Sequence, residues 1–209
     1  MKVNIRGDQV EVEGYVNAIE RNSKPLQSRI GKFIERICKG AFKKAIKRND
    51  DIHILLNHDW ERDLGSTKKG NLELQEDNIG LHARATITDP DVIKKARNGD
   101  LVGWSFGFAD REVEEREIDG IPTRAVKDMD LYEVSILDRS KRPAYEGTLI
   151  AARDDGADAY NSGEPLYTDA EITETREESP HQTQEEQKKI DYSVFEEMIA
   201  EMKGVSNHE

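Results

Sequence analysis

The chain has 209 residues, 35% of them apolar, and a formal net charge of −12, which suits one domain of ordinary size with an appendage rather than a chain packed throughout. Residues 151–209 hold 5 Lys/Arg against 16 Asp/Glu, a net of −11 that leaves −1 for residues 1–150; neither part is basic, so nucleic acid is not expected as a partner. No apolar run approaches the ~20 residues a spanning helix needs, which argues against a membrane role, and the single Cys38 excludes an intrachain disulfide and suits a reducing cytoplasm.

The N-terminus, Met-Lys-Val-Asn-Ile-Arg-Gly-Asp, lacks the apolar centre of a signal peptide. Val10 to Val16 alternates like a half-buried strand. The basic run from Arg29 to Arg48 reads as a solvated helix face, with a helix expected over Gly40 to Arg48. Ile52 to Leu56 is a short apolar strand. Asn71 to Gln75 and Gly80 to Ile87 form a hairpin whose turn is Glu76-Asp77-Asn78. A second helix opens with Asp89 as cap and Pro90 at its first position and ends near Asn98-Gly99. Strands follow over Val102 to Glu112 and Ala125 to Leu137. So many strands with few crossover helices predict a β-rich fold, an antiparallel barrel-like β core decorated by helices.

Two residues stand out on this layout. His58 directly follows the Ile52–Leu56 strand, where a rigid element aims the ring while leaving it accessible. Ser105 lies in Val-Gly-Trp-Ser-Phe-Gly-Phe, and alternation sets Trp104 and Phe106 on one face and Gly103, Ser105 and Gly107 on the other. Two glycines bracketing a serine leave room for a substrate backbone. A serine hydroxyl becomes a nucleophile when an imidazole takes its proton, so the pair suggests acyl transfer. Alternation along Leu131 to Leu137 sets Glu133 and Ser135 on one face, and a carboxylate among so many apolar neighbours needs a partner. His53 and His58 do not share a strand face, and no Cys/His cluster has ligand spacing, so neither a metal nor a cofactor is expected.

Glu13-Gly14-Tyr15-Val16, Gly40-Ala41-Phe42, Leu55-Leu56-Asn57-His58-Asp59, Gly65-Ser66-Thr67, Gly103-Trp104-Ser105-Phe106-Gly107-Phe108 and Leu131-Tyr132-Glu133-Val134-Ser135-Ile136-Leu137 follow one order that resembles the tailed-phage prohead proteases. Those are capsid maturation serine peptidases, distantly similar to herpesvirus assemblin. The resemblance covers roughly residues 10 to 150. It implies a serine endopeptidase domain over residues 1–150, with His58, Ser105 and Glu133 as catalytic residues; Asp130 and Asp138 are alternatives for the acid. It implies as substrates the phage major capsid protein, the scaffold and the protease itself, and as location the immature prohead in the cytoplasm of the bacterial host. Assemblins place arginine-rich backbone just beyond their third catalytic residue, which makes Arg139 and Arg142 candidate oxyanion stabilisers. The oligomeric state is left open.

Residues 151–184, rich in Asp, Glu, Ser, Thr, Gly and Pro, bury too little surface to offset ordering entropy and read as an acidic disordered linker. Residues 185–204 read as an amphipathic helix. Thr183 and Glu186 make a capping box, Ile190, Val194, Met198, Ile199 and Met202 recur at helical spacing, and Gly204 is a stop. Such a segment suits capsid or scaffold targeting, and self-cleavage within 151–184 would release the body from it. The competing reading is a non-enzymatic scaffold or capsid-associated protein that acts through this tail.

Overall fold

The computed structural model describes residues 1–28, 31–141, 160–162, 166–167 and 170–175. In chain order the elements are β1 (Lys2–Arg6), β2 (Gln9–Ala18), β3 (Leu26–Ser28), β4 (Gly31–Ile37), α1 (Ala41–Arg48), β5 (His53–Leu56), β6 (Asp59–Ser66), β7 (Leu72–Glu76), β8 (Gly80–Ile87), α2 (Pro90–Arg97), β9 (Leu101–Ile118), β10 (Ile121–Asp138), β11 (Tyr160–Ser162), β12 (Leu166–Tyr167) and β13 (Glu171–Thr175). One sheet runs β13-β1-β2-β8-β7. The other is centred on the β9–β10 hairpin, with β11 and β12 on the free edge of β9.

The period-2 segments bury alternate residues because one face of each sheet meets a common core. In β1 and β2 these are Val3, Ile5, Val10 and Val12; in β8, Leu81, Ala83, Ala85 and Ile87; in β9 and β10, Trp104, Phe106, Phe108, Val134 and Ile136. Both helices bury one stripe in this core: Ala41, Phe42 and Ala45 from α1, and Val92, Ile93 and Ala96 from α2. Phe42 meets the edge of Phe106 at 5.2 Å between centroids. Gly14 lets β2 approach this wall, since a Cβ there would lie 3.2 Å from Nε1 of Trp104.

Local signals explain the helix boundaries. Asp89 accepts a hydrogen bond from the amide of Val92 at 2.9 Å, capping α2 as expected. For α1 the cap comes from elsewhere: both carboxylate oxygens of Glu76, on β7, accept from the amides of Gly40 and Lys43, where the helix dipole also favours a negative charge.

The expected barrel does not close among the described residues, which fall into two open sheets. Pairing is also not uniformly antiparallel. The edge of β10 away from β9 is shared by β4, paired over residues 123–126, and β5, paired over residues 133–136, both parallel to it. The basic run over residues 29–48 is divided between strand β4 and helix α1 rather than lying on one helix face. Within the stretch expected as a disordered linker, residues 160–162, 166–167 and 171–175 form strands, the last parallel to β1. Their composition supplies little apolar surface, and backbone pairing to exposed sheet edges holds them instead. Residues 185–204, with the expected helix, lie outside the described residues.

Candidate active site

His58 is presented by a strained turn. Leu56 pairs with Asp59 across the β5–β6 hairpin, so Asn57 and His58 form a two-residue loop, and both have positive φ, 60° and 62°. That is the type I′ arrangement, which matches strand twist but disfavours most side chains; Asn and His tolerate it better than most. The turn is fastened to β10 at three points. The amide of Asn57 donates to the carbonyl of Ile136 at 2.9 Å. The Asn57 side-chain oxygen accepts from the amide of Asp138 at 3.0 Å, and the amide of His58 donates to the Ser135 hydroxyl at 3.0 Å.

Held this way, the imidazole meets Glu133: Nδ1 lies 2.7 Å from Oε1. The Ser135 hydroxyl donates to the other carboxylate oxygen at 2.6 Å. With Glu133 ionised, both its oxygens accept, which puts the imidazole proton on Nδ1 and leaves Nε2 as the basic nitrogen. Glu133 is fully buried, whereas the His58 side chain keeps 23% of its surface exposed. The ring thus has one nitrogen fixed in the interior and a partly accessible edge.

A β-bulge explains why the carboxylate faces this way. Leu131 pairs with Phe108 and Glu133 with Gly107, leaving Tyr132 as the extra residue. Without the bulge, Leu131 and Glu133 would share a face, and Leu131 belongs to the core. The extra residue flips the parity and re-aims Glu133 to the opposite side. Beyond it the register carries Ser135 opposite Ser105, Ile136 opposite Trp104 and Leu137 opposite Gly103. Directly paired residues on adjacent strands project on one side with Cβ atoms ~5 Å apart. Ser105 is thus the cross-strand neighbour of the residue that ties His58 to Glu133, and it is itself buried.

A cleft of about 440 Å³ opens beside this cluster, lined among others by Asn57, His58, Asp59, Arg62, Lys95 and Asp138. Its charges are braced. Arg62 reaches Asp91 at 3.1 Å and Asp89 at 3.3 Å, and the hydrogen bond to Asp91 leads in raising its pKa. Lys95 lies 3.4 Å from Asp138. Burial works against the charge of Asp138, yet Ser140, Asn57 and Lys95 together hold its carboxyl below the usual carboxylate range.

The other sequence candidates have other partners. Asp130 pairs with Arg48 and Arg111, and Asp138 organises the turn after β10; neither replaces Glu133 beside His58. Nε and NH2 of Arg139 donate to the carbonyl of Gly99, at 3.3 and 3.1 Å, and its Nε also pairs with Asp100, so its side chain is committed to the end of α2. Arg142 lies outside the described residues. His53 sits 3.3 Å from Asp63, off hydrogen-bond geometry, and against Trp60. Among the described residues no group of three His, Cys, Asp or Glu side chains is placed to hold a metal ion, and no helix is long and apolar enough to cross a membrane.

Ser135 is the member of this cluster that sequence reasoning left unassigned. Its signal is the spacing Glu-Val-Ser, which places a hydroxyl on the carboxylate's own face two residues on. The Gly65-Ser66-Thr67 motif is structural: a Cβ at Gly65 would lie 2.0 Å from Oδ1 of Asn71, and that oxygen accepts from the amide of Ser66.

A buried acid on an imidazole, with a serine on the next strand, brings together the residue types that a nucleophile, its base and an orienting acid require. The family model of the caudovirus prohead serine proteases matches residues 1–162. The chain belongs to that family. Among curated proteins and among solved structures no match was found. The prohead protease match covers both sheets except β12 and β13, includes the cluster around His58, and ends at the last residue of β11. The family's hydrolase chemistry and its place in phage capsid maturation agree with the resemblance carried by the motifs.

Proposed function

We propose that this protein is the endopeptidase that cleaves scaffold and coat-protein extensions, and itself, inside the immature phage head, with Ser105 as nucleophile, His58 as general base and Glu133 as its orienter. The observation that carries the reading is the 2.7 Å contact between His58 Nδ1 and the buried Glu133 carboxylate, one strand from Ser105. Glu133 fixes the tautomer and stabilises the imidazolium that forms, without itself taking the proton. His58 Nε2 removes the Ser105 proton as the hydroxyl oxygen attacks the scissile carbonyl. The tetrahedral intermediate collapses to an acyl-enzyme as His58 returns the proton to the leaving amine. Water, activated by the same nitrogen, then releases the acid product.

Residues 185–204 supply recruitment in this reading, through an apolar stripe that packs on coat or scaffold helices. The test is mass measurement of purified protein incubated with coat and scaffold proteins, comparing wild type with Ser105→Ala. Time-dependent loss of their extensions that needs Ser105 is expected. Cleavage that persists in Ser105→Ala rules out the assigned nucleophile.

A further inference from the structure

The strand that carries Ser105 has two edges. One is filled by β10. Along the other, Tyr160, Asn161 and Ser162 pair antiparallel with Ala109, Phe108 and Gly107, and Leu166 and Tyr167 pair with Trp104 and Gly103. The two paired stretches bracket Ser105, whose side chain is fully buried in this state.

An endopeptidase must hold its substrate extended and in register, so that one carbonyl stays beside the nucleophile. Strand addition on an open sheet edge does this through main-chain hydrogen bonds, which tolerate many sequences. The β9 edge is suited to it, because Gly103 and Gly107 flank Ser105 without side chains and allow close backbone approach. The tail segment occupies this edge in the same extended manner. A nucleophile that is fully buried cannot meet an external carbonyl until that state opens.

We infer that the Gly103–Ala109 edge of β9 is the peptide-binding edge of this protease, and that β11 and β12, residues 160–162 and 166–167, are its intramolecular occupants, competing with substrate. The inference rests on the peptidase reading above and adds where substrate lies and what holds the resting enzyme in check. A tethered segment acts at an effective concentration on the order of mM, so a dilute free peptide displaces it poorly. Coat and scaffold proteins crowded in a closed shell compete on far better terms, which would confine activity to the assembled head.

The test uses full-length Ser105→Ala protein and a fluorescently labelled synthetic peptide of residues 158–169, with binding read by anisotropy. A second protein adds Asn161→Pro and Ser162→Pro, and a third adds Leu166→Pro and Tyr167→Pro. In an antiparallel pair alternate amides point at the partner, so two consecutive prolines remove whichever donor faces β9. Both tail variants are expected to bind the peptide at least about tenfold more tightly than Ser105→Ala alone. Should one variant fail to fold by circular dichroism, the other carries the comparison. Equal binding with the tail intact and disrupted overturns the competition, even where Ser105-dependent cleavage of coat protein is found. Cleavage that does not depend on Ser105 overturns the peptidase reading, and a difference in peptide binding would survive it.

Discussion

Ser135 and Glu133, two residues apart on β10, form one bracket for the His58 imidazole: the Ser135 hydroxyl accepts from the His58 amide at 3.0 Å and donates to the Glu133 carboxylate at 2.6 Å. The bracket couples the backbone position of His58 to the orientation of its acid. Ser135→Ala leaves a buried carboxylate oxygen and an amide short of a partner, a cost of about 1–3 kcal/mol. Losing alignment at the base should lower kcat by roughly 10- to 100-fold, with KM nearly unchanged. Steady-state kinetics with thermal unfolding checks both, and a Ser135→Ala enzyme with wild-type kcat removes the positioning role.

In the proposed mechanism the nucleophile and base act as a unit. Ser105→Ala and His58→Ala should each cost up to about 10⁶ in kcat, with the double variant no worse than either. Glu133→Gln should be milder, with a loss of about 10⁴. Asp130→Asn should leave kcat within a few-fold, because Asp130 is engaged by Arg48 and Arg111. A larger loss for Asp130→Asn than for Glu133→Gln would unseat Glu133.

Much of this site is readable from alternation and turn chemistry. The β7–β8 hairpin, both helices and the strand leading to His58 follow from hydrophobic period, the Asp89 cap and the Pro90 start. Trp104 and Phe106 do take the face opposite Ser105, and Glu133 and Ser135 do share one face. Other features are hidden for physical reasons. The outer half of β9, including Glu114, Glu115, Arg116 and Glu117, is charged on both faces because it projects, with the start of β10, beyond the core. Their hairpin is announced only by Asp119-Gly120, where both residues have positive φ. β4 lies inside a basic run because its polar side chains line a half-exposed surface. β11, β12 and β13 carry no apolar period, since backbone pairing joins them to edges whose positions depend on the rest of the fold. The Tyr132 bulge is invisible to alternation, although it decides which way Glu133 points.

Activity should decline toward acid pH, because an imidazolium has no lone pair with which to accept the Ser105 proton. EDTA should leave the rate unchanged. A loss with EDTA that zinc restores would point to metal chemistry instead.

Stability has its own acid dependence through Asp138. Its carboxyl binds protons less readily folded than unfolded, so the unfolded chain takes up more protons as pH falls through the ordinary Asp value of about 3.9. The stabilisation is therefore fully present above that value and lost as pH drops toward the lower folded value. Asp138→Asn should flatten the acid limb of Tm against pH while lowering Tm near neutrality. An unchanged acid limb would mean that other carboxylates carry the dependence.

The last prediction separates chemistry from recruitment. Residues 178–209 follow the described strands and hold the segment whose Ile190, Val194, Met198, Ile199 and Met202 recur at helical spacing. A lone helix of that length is marginal in water and gains stability by laying its apolar stripe on a partner. Enclosing a protease with its substrates is what such an attachment would supply. Deleting residues 178–209 leaves His58, Ser105, Glu133 and the β9 edge intact, so Ser105-dependent hydrolysis of peptide should stay within a few-fold of wild type. Incorporation into proheads, measured by quantifying protease in purified shells assembled with a Ser105→Ala background, should fall at least about tenfold. Packaging of the truncated protein at the full-length level would move the recruiting contact into residues 1–177.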